Sequence, residues 1–265
     1  MWLNQETVLE TTRLFMVPYL PIYVPKYHSW MQDPWLREST SSELLSLDEE
    51  FNTQEQWCNS NDRLTFILLH KQLYHNYWLL KNTKNQLFID LLQLNNEKYV
   101  ENENAEIVSM IGDINLFIIY SHSINNIEGE LSVMIAEPNY RRQGLAAEAL
   151  AGILEYSGRH LPMKLTSLVA KVSMNNEGSI NFFRNRLKFI ERSRNTVFNE
   201  IEFVPDIQQL PIEEQSSENI NLPSKVSQLI IDSLLTPSSK CPFSNWFYKE
   251  IDLKLWRQTV ARGDD

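Results

Sequence analysis

Apolar positions along this chain fall into short runs, some spaced by two as in a strand and others by three or four as in a helix. Residues 11–19, TTRLFMVPY, predict a strand ended by Pro18. Residues 22–36 predict a short helix with its aromatic residues on one side. Residues 46–58 predict a second helix, with Ser46 as N-cap and Glu49 three residues later forming a capping box. RLTFILLH, 63–70, is a buried strand rich in branched and aromatic residues. From Lys71 to Ala105 the pattern lapses into Asn, Lys, Gln and Tyr, which predicts an insertion between neighbouring strands. The apolar LFIDLLQL inside it fits an extra strand or a segment docked on the core.

Strand spacing resumes over 106–120, with a kink expected at Gly112, and again over 128–138, where Pro138 stops it. A helix over 144–158, a strand over 163–173, a helix over 176–187 and two closing strands over 188–203 follow. That succession predicts an α/β layered domain ending near Phe203. Beyond it, 205–224 is polar, acidic and proline-punctuated and reads as a linker, whereas 225–235 is amphipathic. The aromatic stretch from Cys241 to Trp256 needs burial. Docking on the first domain is the expectation, and a partner surface is the rival.

Composition narrows the class. With 24 Lys plus Arg against 34 Asp plus Glu, the net charge is −10, which argues against nucleic acid as a partner and suits a cationic one. Cys58 and Cys241 lie far apart and read as free thiols in a reducing compartment. No basic region followed by an apolar core opens the sequence, and the longest apolar runs are too short to cross a bilayer. The expected location is the cytosol or nucleus, without membrane attachment. The five histidines show no ligand spacing, so no metal is expected.

The chemistry gathers in EPNYRRQGLAAEAL, 137–150. Two arginines and a glycine run directly into an alanine-rich helix, so successive main-chain N–H groups, positive charge and a helix N-terminus coincide. That combination suits a phosphate or pyrophosphate. The loop lacks the Lys-Ser/Thr of a Walker loop and the G-x-G-x-x-G of a dinucleotide fingerprint. Taken alone, it also fits an ordinary strand-to-helix turn.

With its surroundings, the run from Gly129 to Phe203 resembles the GNAT N-acetyltransferase superfamily, whose loop reads Q/R-x-x-G-x-G/A. Setting the insertion at 71–105 aside, the resemblance covers about residues 1–204 and leaves 205–265 as a C-terminal extension. It implies an α/β fold of the α+β kind, a mixed central sheet of about six or seven strands flanked by helices. It also implies acetyl-CoA as cosubstrate. Arg141, Arg142, Gln143, Gly144, Leu145 and Ala146 would hold the CoA pyrophosphate through main-chain amides, and Asn176 and Ser179 would face the pantetheine arm. N–H groups near Met134, Ile135 and Ala136 would polarise the thioester carbonyl.

Phe183 stands seven residues after Asn176, where many members carry a tyrosine that protonates the leaving thiolate. A phenyl ring can pack against pantetheine but cannot donate a proton. Lys188 replaces the usual glycine before the last phenylalanine, and the spacing from Asn176 is one residue longer than usual. Glu130 is the candidate base, on one strand face with Ser132, Met134 and Ala136, although a glutamate at a strand start is often salt-bridged instead. The function implied is acetyl transfer from acetyl-CoA to an amine on a protein or peptide, directly in a ternary complex. The alternative is a CoA-binding adaptor whose aromatic C-terminal segment contacts a partner.

Overall fold

Thr12 and Arg13 turn the chain back on itself between β1 (Thr7–Thr11) and β2 (Leu14–Pro18), making the hairpin from which the sheet is built. In β2 the alternation is two-sided: Leu14 and Met16 enter one core while Phe15 and Val17 enter the other. Both faces of the strand are therefore covered, and it reads as a continuous apolar run. The computed structural model describes residues 3–83, 104–120, 126–206, 221–235 and 246–262.

β3 (Arg63–His70), β4 (Met110–Tyr120), β5 (Ile127–Ile135), β6 (Ser167–Ser173), β7 (Ile190–Asn195), β8 (Glu200–Val204) and β9 (Tyr248–Asp252) complete a nine-stranded sheet. Its order is β7-β8-β6-β5-β4-β3-β2-β1-β9. Every pairing is antiparallel except that of β5 with β6. The family resemblance implies about six or seven strands; β1 and β9 make the difference. Both are five-residue strands at one margin of the sheet, too short to show a clear alternation.

The helices cover both faces. In chain order they are α1 (Val24–Met31), α2 (Pro34–Thr40), α3 (Leu47–Asn59), α4 (Lys71–Thr83), α5 (Ala105–Val108), α6 (Leu145–His160), α7 (Glu177–Asn181), α8 (Leu222–Leu235) and α9 (Leu253–Arg262). A parallel β5–β6 pair needs a crossover, and α6 supplies it. Leu150, Ile153 and Leu154 of α6 bury themselves on one face together with Val226 and Ile230 of α8. Tyr23, Tyr27, Tyr74, Tyr77 and Trp256 pack the opposite face.

Three expectations change, the first being that the strand expected from 106 begins only at Met110, after the short helix α5. The single helix over 22–36 is two, because Asp33 caps a new helix by accepting the Trp35 N–H, with Pro34 in its first turn. The expected insertion at 71–105 begins as a helix: α4 follows β3 directly and buries Leu73, Tyr74 and Tyr77. LFIDLLQL lies outside the described residues. The capping box at Ser46 and Glu49 is present at the start of α3.

The extension past 204 returns to the sheet. Ser227 Oγ donates to Ala151 O on α6 (2.9 Å), β9 pairs along β1, and Trp256 of α9 lies buried against Phe15 and Tyr74. Among the described residues, no helix is long and apolar enough to cross a membrane.

Candidate acetyl-CoA and acceptor site

β5 and β6 pair only at Glu128–Ser167, Gly129–Leu168 and Glu130–Val169, yet β5 runs on to Ile135 and β6 to Ser173. Past Glu130 the two strands part and open a fork. Strand alternation then decides which β5 amides face it. Ala136 N–H donates to Ile111 O at 2.8 Å, which turns it toward β4. With Met134 opposite Asp113 in the same register, alternation turns the Met134 N–H toward β4 as well. The N–H groups of Val133 and Ile135 are left directed into the fork. Of the three amides expected near the carbonyl, Ile135 faces the fork, with Val133 beside it, while Met134 and Ala136 face β4.

The bulge that sets this register lies on β4. Leu68 pairs with Gly112 and Leu69 with Met110, so Ile111 is the extra residue, and its carbonyl accepts both Ala136 and Glu137 N–H. Gly112 sits so close to Met134 O that a Cβ there would overlap the carbonyl.

The anion loop starts one turn later. Gly144 is the N-cap of α6 in the left-handed region (φ 80°), and among the described residues no side chain caps the helix. Arg142, exposed, also has positive φ (61°). Leu145 is buried in the core and contributes its main chain only, whereas Ala146 stays half-buried at the first turn. Uncapped N–H groups at a helix start, beside a glycine with no side chain to intrude, fit a pyrophosphate.

The Arg141 side chain is engaged by the protein's own main chain. Its Nε donates to Ile135 O (2.9 Å) and its Nη2 to Ala136 O (2.6 Å), with the guanidinium 4.6 Å from the Trp35 ring centroid. The side chain thus clamps the end of β5. Gln143 is held on both sides, its carbonyl by Arg13 Nη1 (2.8 Å) and its own Nε2 on Asn139 O (2.6 Å).

Asn176 caps α7, its Oδ1 accepting the Ser179 N–H at 3.0 Å. The helix continues as a π turn over Phe182–Arg186, with Leu187 N–H reaching Phe182 O. A π turn takes up one extra residue, which accounts for the longer spacing after Asn176. Phe183 is 4 % exposed and stacks on Phe203 with Phe189 beside it, so its ring is a core element, not a wall for pantetheine. Lys188 adopts φ 58°, the conformation a glycine would favour. Glu130 stands at the fork, but Lys171 Nζ donates to its Oε2 at 2.6 Å. The predicted base is one half of a cross-strand ion pair.

A polar group on the same sheet face escaped the sequence reading. Thr65 Oγ1 donates to Asn115 Oδ1 and Asn115 Nδ2 to Asp113 Oδ2, both at 2.7 Å. Asp113 is 3 % exposed, and burial pushes its carboxyl up to about 7, against the lowering effect of the Asn115 bond. Burial raises the Tyr19 phenol, with Glu50 and Asp113 adding to the effect. Burial likewise raises Tyr27, helped by Asp113, Tyr19 and Glu50. The available signal was an aspartate and an asparagine two residues apart, Asp113 and Asn115, at inward positions of the largely apolar MIGDINLFIIY.

Comparison with known proteins identifies the family. A family model described as an acetyltransferase (GNAT) domain matches residues 13–185. An N-acetyltransferase 9-like protein of Dictyostelium discoideum is 37 % identical over 201 residues, 76 % of this chain and 85 % of that protein. The alpha/beta-tubulin-N-acetyltransferase 9 of Drosophila melanogaster is 33 % identical over 201 residues, 76 % of this chain and 87 % of that protein. Among solved structures, spermidine N-acetyltransferase of Vibrio cholerae in complex with CoA and spermine aligns with a TM-score of 0.47 at 15 % identity, over 74 % of this chain and 93 % of that one. The uncapped loop, the forked sheet and the sequence match converge: this chain belongs to the GNAT acetyltransferase family and is an acetyl-CoA-dependent N-acyltransferase.

Proposed function

We propose that the protein transfers the acetyl group of acetyl-CoA to an amine on a protein or peptide, directly within a ternary complex. The observation that carries this reading is the adjacency of two features. The side-chain-free N-terminus of α6 can take the pyrophosphate, and the unpaired margin of β5 can point two amides at a carbonyl. When bound, the cosubstrate supplies an activated acetyl thioester. The chain supplies orientation, N–H groups for developing negative charge, and a fork from which the acceptor approaches.

Glu130, half-buried at the fork and paired with Lys171, contributes negative potential toward an approaching ammonium. The names of relatives in Drosophila, mouse and human, alpha/beta-tubulin-N-acetyltransferase 9, support a protein amine as the acceptor class. The adaptor alternative depends on a free aromatic C-terminal segment, and the burial of Trp256 removes much of that face.

The test is incubation of the purified protein with acetyl-CoA and α/β-tubulin, followed by mass spectrometry of acetylated sites. New acetyl groups are expected with wild type and not with Gly144→Trp, whose indole would fill the phosphate cradle. Tubulin and a cell lysate both left unmodified by wild type would sink the reading.

A further inference from the structure

Of the four carboxylates less than a tenth exposed among the described residues, two are paired with arginine, whereas Glu50 and Asp113 form no ion pair. Glu148 is paired with Arg13, and Glu106 with Arg257 and the Tyr23 hydroxyl. Asp113 has an amide donor, Asn115, but among the described residues no lysine, arginine or histidine pairs with it. A buried carboxylate without a cation is costly unless a ligand brings the positive charge.

Its surroundings suit such a ligand. Across the sheet, Val17, Ile67, Asp113 and Met134 form one row. The next row holds Thr65, Asn115 and Ser132, with Tyr19 following β2 on the same face as Val17. The Tyr19 hydroxyl is buried and, among the described residues, has no hydrogen-bond partner. Tyr27 packs on Tyr19 with centroids 5.2 Å apart, so two aromatic rings wall the carboxylate region. An ammonium is the ligand chemistry that satisfies a carboxylate, a phenol oxygen and aromatic faces together. Ser132 and Glu130, half-buried on the same face of β5, continue the polar track to the fork where the Val133 and Ile135 amides lie.

We propose that Asp113, oriented by Asn115 and flanked by the Tyr19 hydroxyl, is the seat of the acceptor's ammonium group and takes its proton. The inference rests on the reading of an amine acceptor given above. One ammonium proton passes to the Asp113 carboxylate and frees the nitrogen lone pair. That pair forms the C–N bond to the acetyl carbon as the C–S bond breaks. A second nitrogen proton goes to the departing thiolate, and Asp113 returns its proton to solvent. A carboxyl poised about 7 by burial is matched to this exchange near neutral pH. The titratable groups gathered around it are Tyr19, Tyr27 from α1 and Glu50 from α3, with His28 acting on Glu50.

The experiment compares Asp113→Asn, Tyr19→Phe and Glu130→Gln in the full chain. For Asp113→Asn, acceptor kcat/KM should fall at least ~100-fold and the pH dependence near 7 should flatten, with acetyl-CoA affinity unchanged. Tyr19→Phe keeps the carboxylate and should raise acceptor KM ~10-fold. Unchanged turnover and pH profile in Asp113→Asn would overturn the proposal. So would unchanged acceptor KM in Tyr19→Phe should the first variant fail to fold, or loss confined to Glu130→Gln. A second arm needs no turnover: carbon-13 NMR of the Asp113 carboxyl in wild type, titrated with methylammonium. Its midpoint should move down as the cation binds. No movement overturns the site even if protein acetylation itself fails, and movement without acetylation would sink only the acetyl-transfer reading.

Discussion

Glu148, on the first turns of α6, accepts the Arg13 main-chain N–H at 2.6 Å and its Nε at 2.9 Å, joining the β1–β2 turn to the anion loop. Thr11 Oγ1 adds a third bond at 2.7 Å, and the same arginine reaches Gln143 O. The glutamate is fully buried while Arg13 keeps about a quarter of its side chain in solvent. Glu148→Ala should therefore cost about 3 kcal/mol, at the low end for a broken buried pair. Denaturant unfolding measures that loss. Calorimetry should also find weaker acetyl-CoA binding, because Arg13 no longer holds Gln143 in place.

Gly112→Ala puts a methyl group onto the Met134 carbonyl. Stability should fall by ~2 kcal/mol or more. Acetyl transfer should fall further than stability explains, since the shift moves the Val133 and Ile135 amides out of the fork. Turnover measured well below the melting transition separates the two effects.

Lys188→Gly should stabilise the protein. At φ 58° a lysine carries left-handed strain that glycine lacks. The relief exceeds the extra unfolded-state entropy of glycine by roughly 0.5–1 kcal/mol. Scanning calorimetry should record a melting temperature higher by roughly 1–4 °C.

Asp113 makes stability fall as pH rises. Its folded carboxyl titrates at about 7, against 3.8 for an ordinary aspartate, so between these values the native chain holds a proton that the unfolded chain has lost. Its full contribution is present below pH 3.8 and disappears as pH approaches 7, by at most ~1.4 kcal/mol per pH unit. His70 runs the other way: burial, and then Arg13, lower it to about 4, so its contribution is present above pH 6.5 and lost as pH falls through 4. Both proteins retain His70, so the difference between wild type and Asp113→Asn isolates the aspartate. That difference should grow in favour of the variant from pH 4 to pH 7 in paired unfolding curves.

The anion loop was legible because its signal is local: Gly144 must adopt positive φ, and the helix after it announces itself by spacing. The Ser46–Glu49 capping box was legible for the same reason. The partners of the Arg141 side chain were not legible, because a guanidinium beside such a turn has two options, and only the proximity of the Ile135 and Ala136 carbonyls and of Trp35 selects the inward one. Helix α4 was missed since its buried side, Leu73, Tyr74 and Tyr77, is diluted by polar neighbours that face away from the core.

By itself the sequence determined the central strands, the crossover helix, the glycine turn at its start and the family. Each of these depends on residues close together in the chain, whose spacing and backbone preferences are set by neighbours. The tertiary structure decided which β5 amides face the fork, that Glu130 meets Lys171, and that Asp113 is buried with no counter-charge beside it among the described residues. Those outcomes follow from register and from contacts between distant segments, where a one-residue slip would exchange every inward group for an outward one.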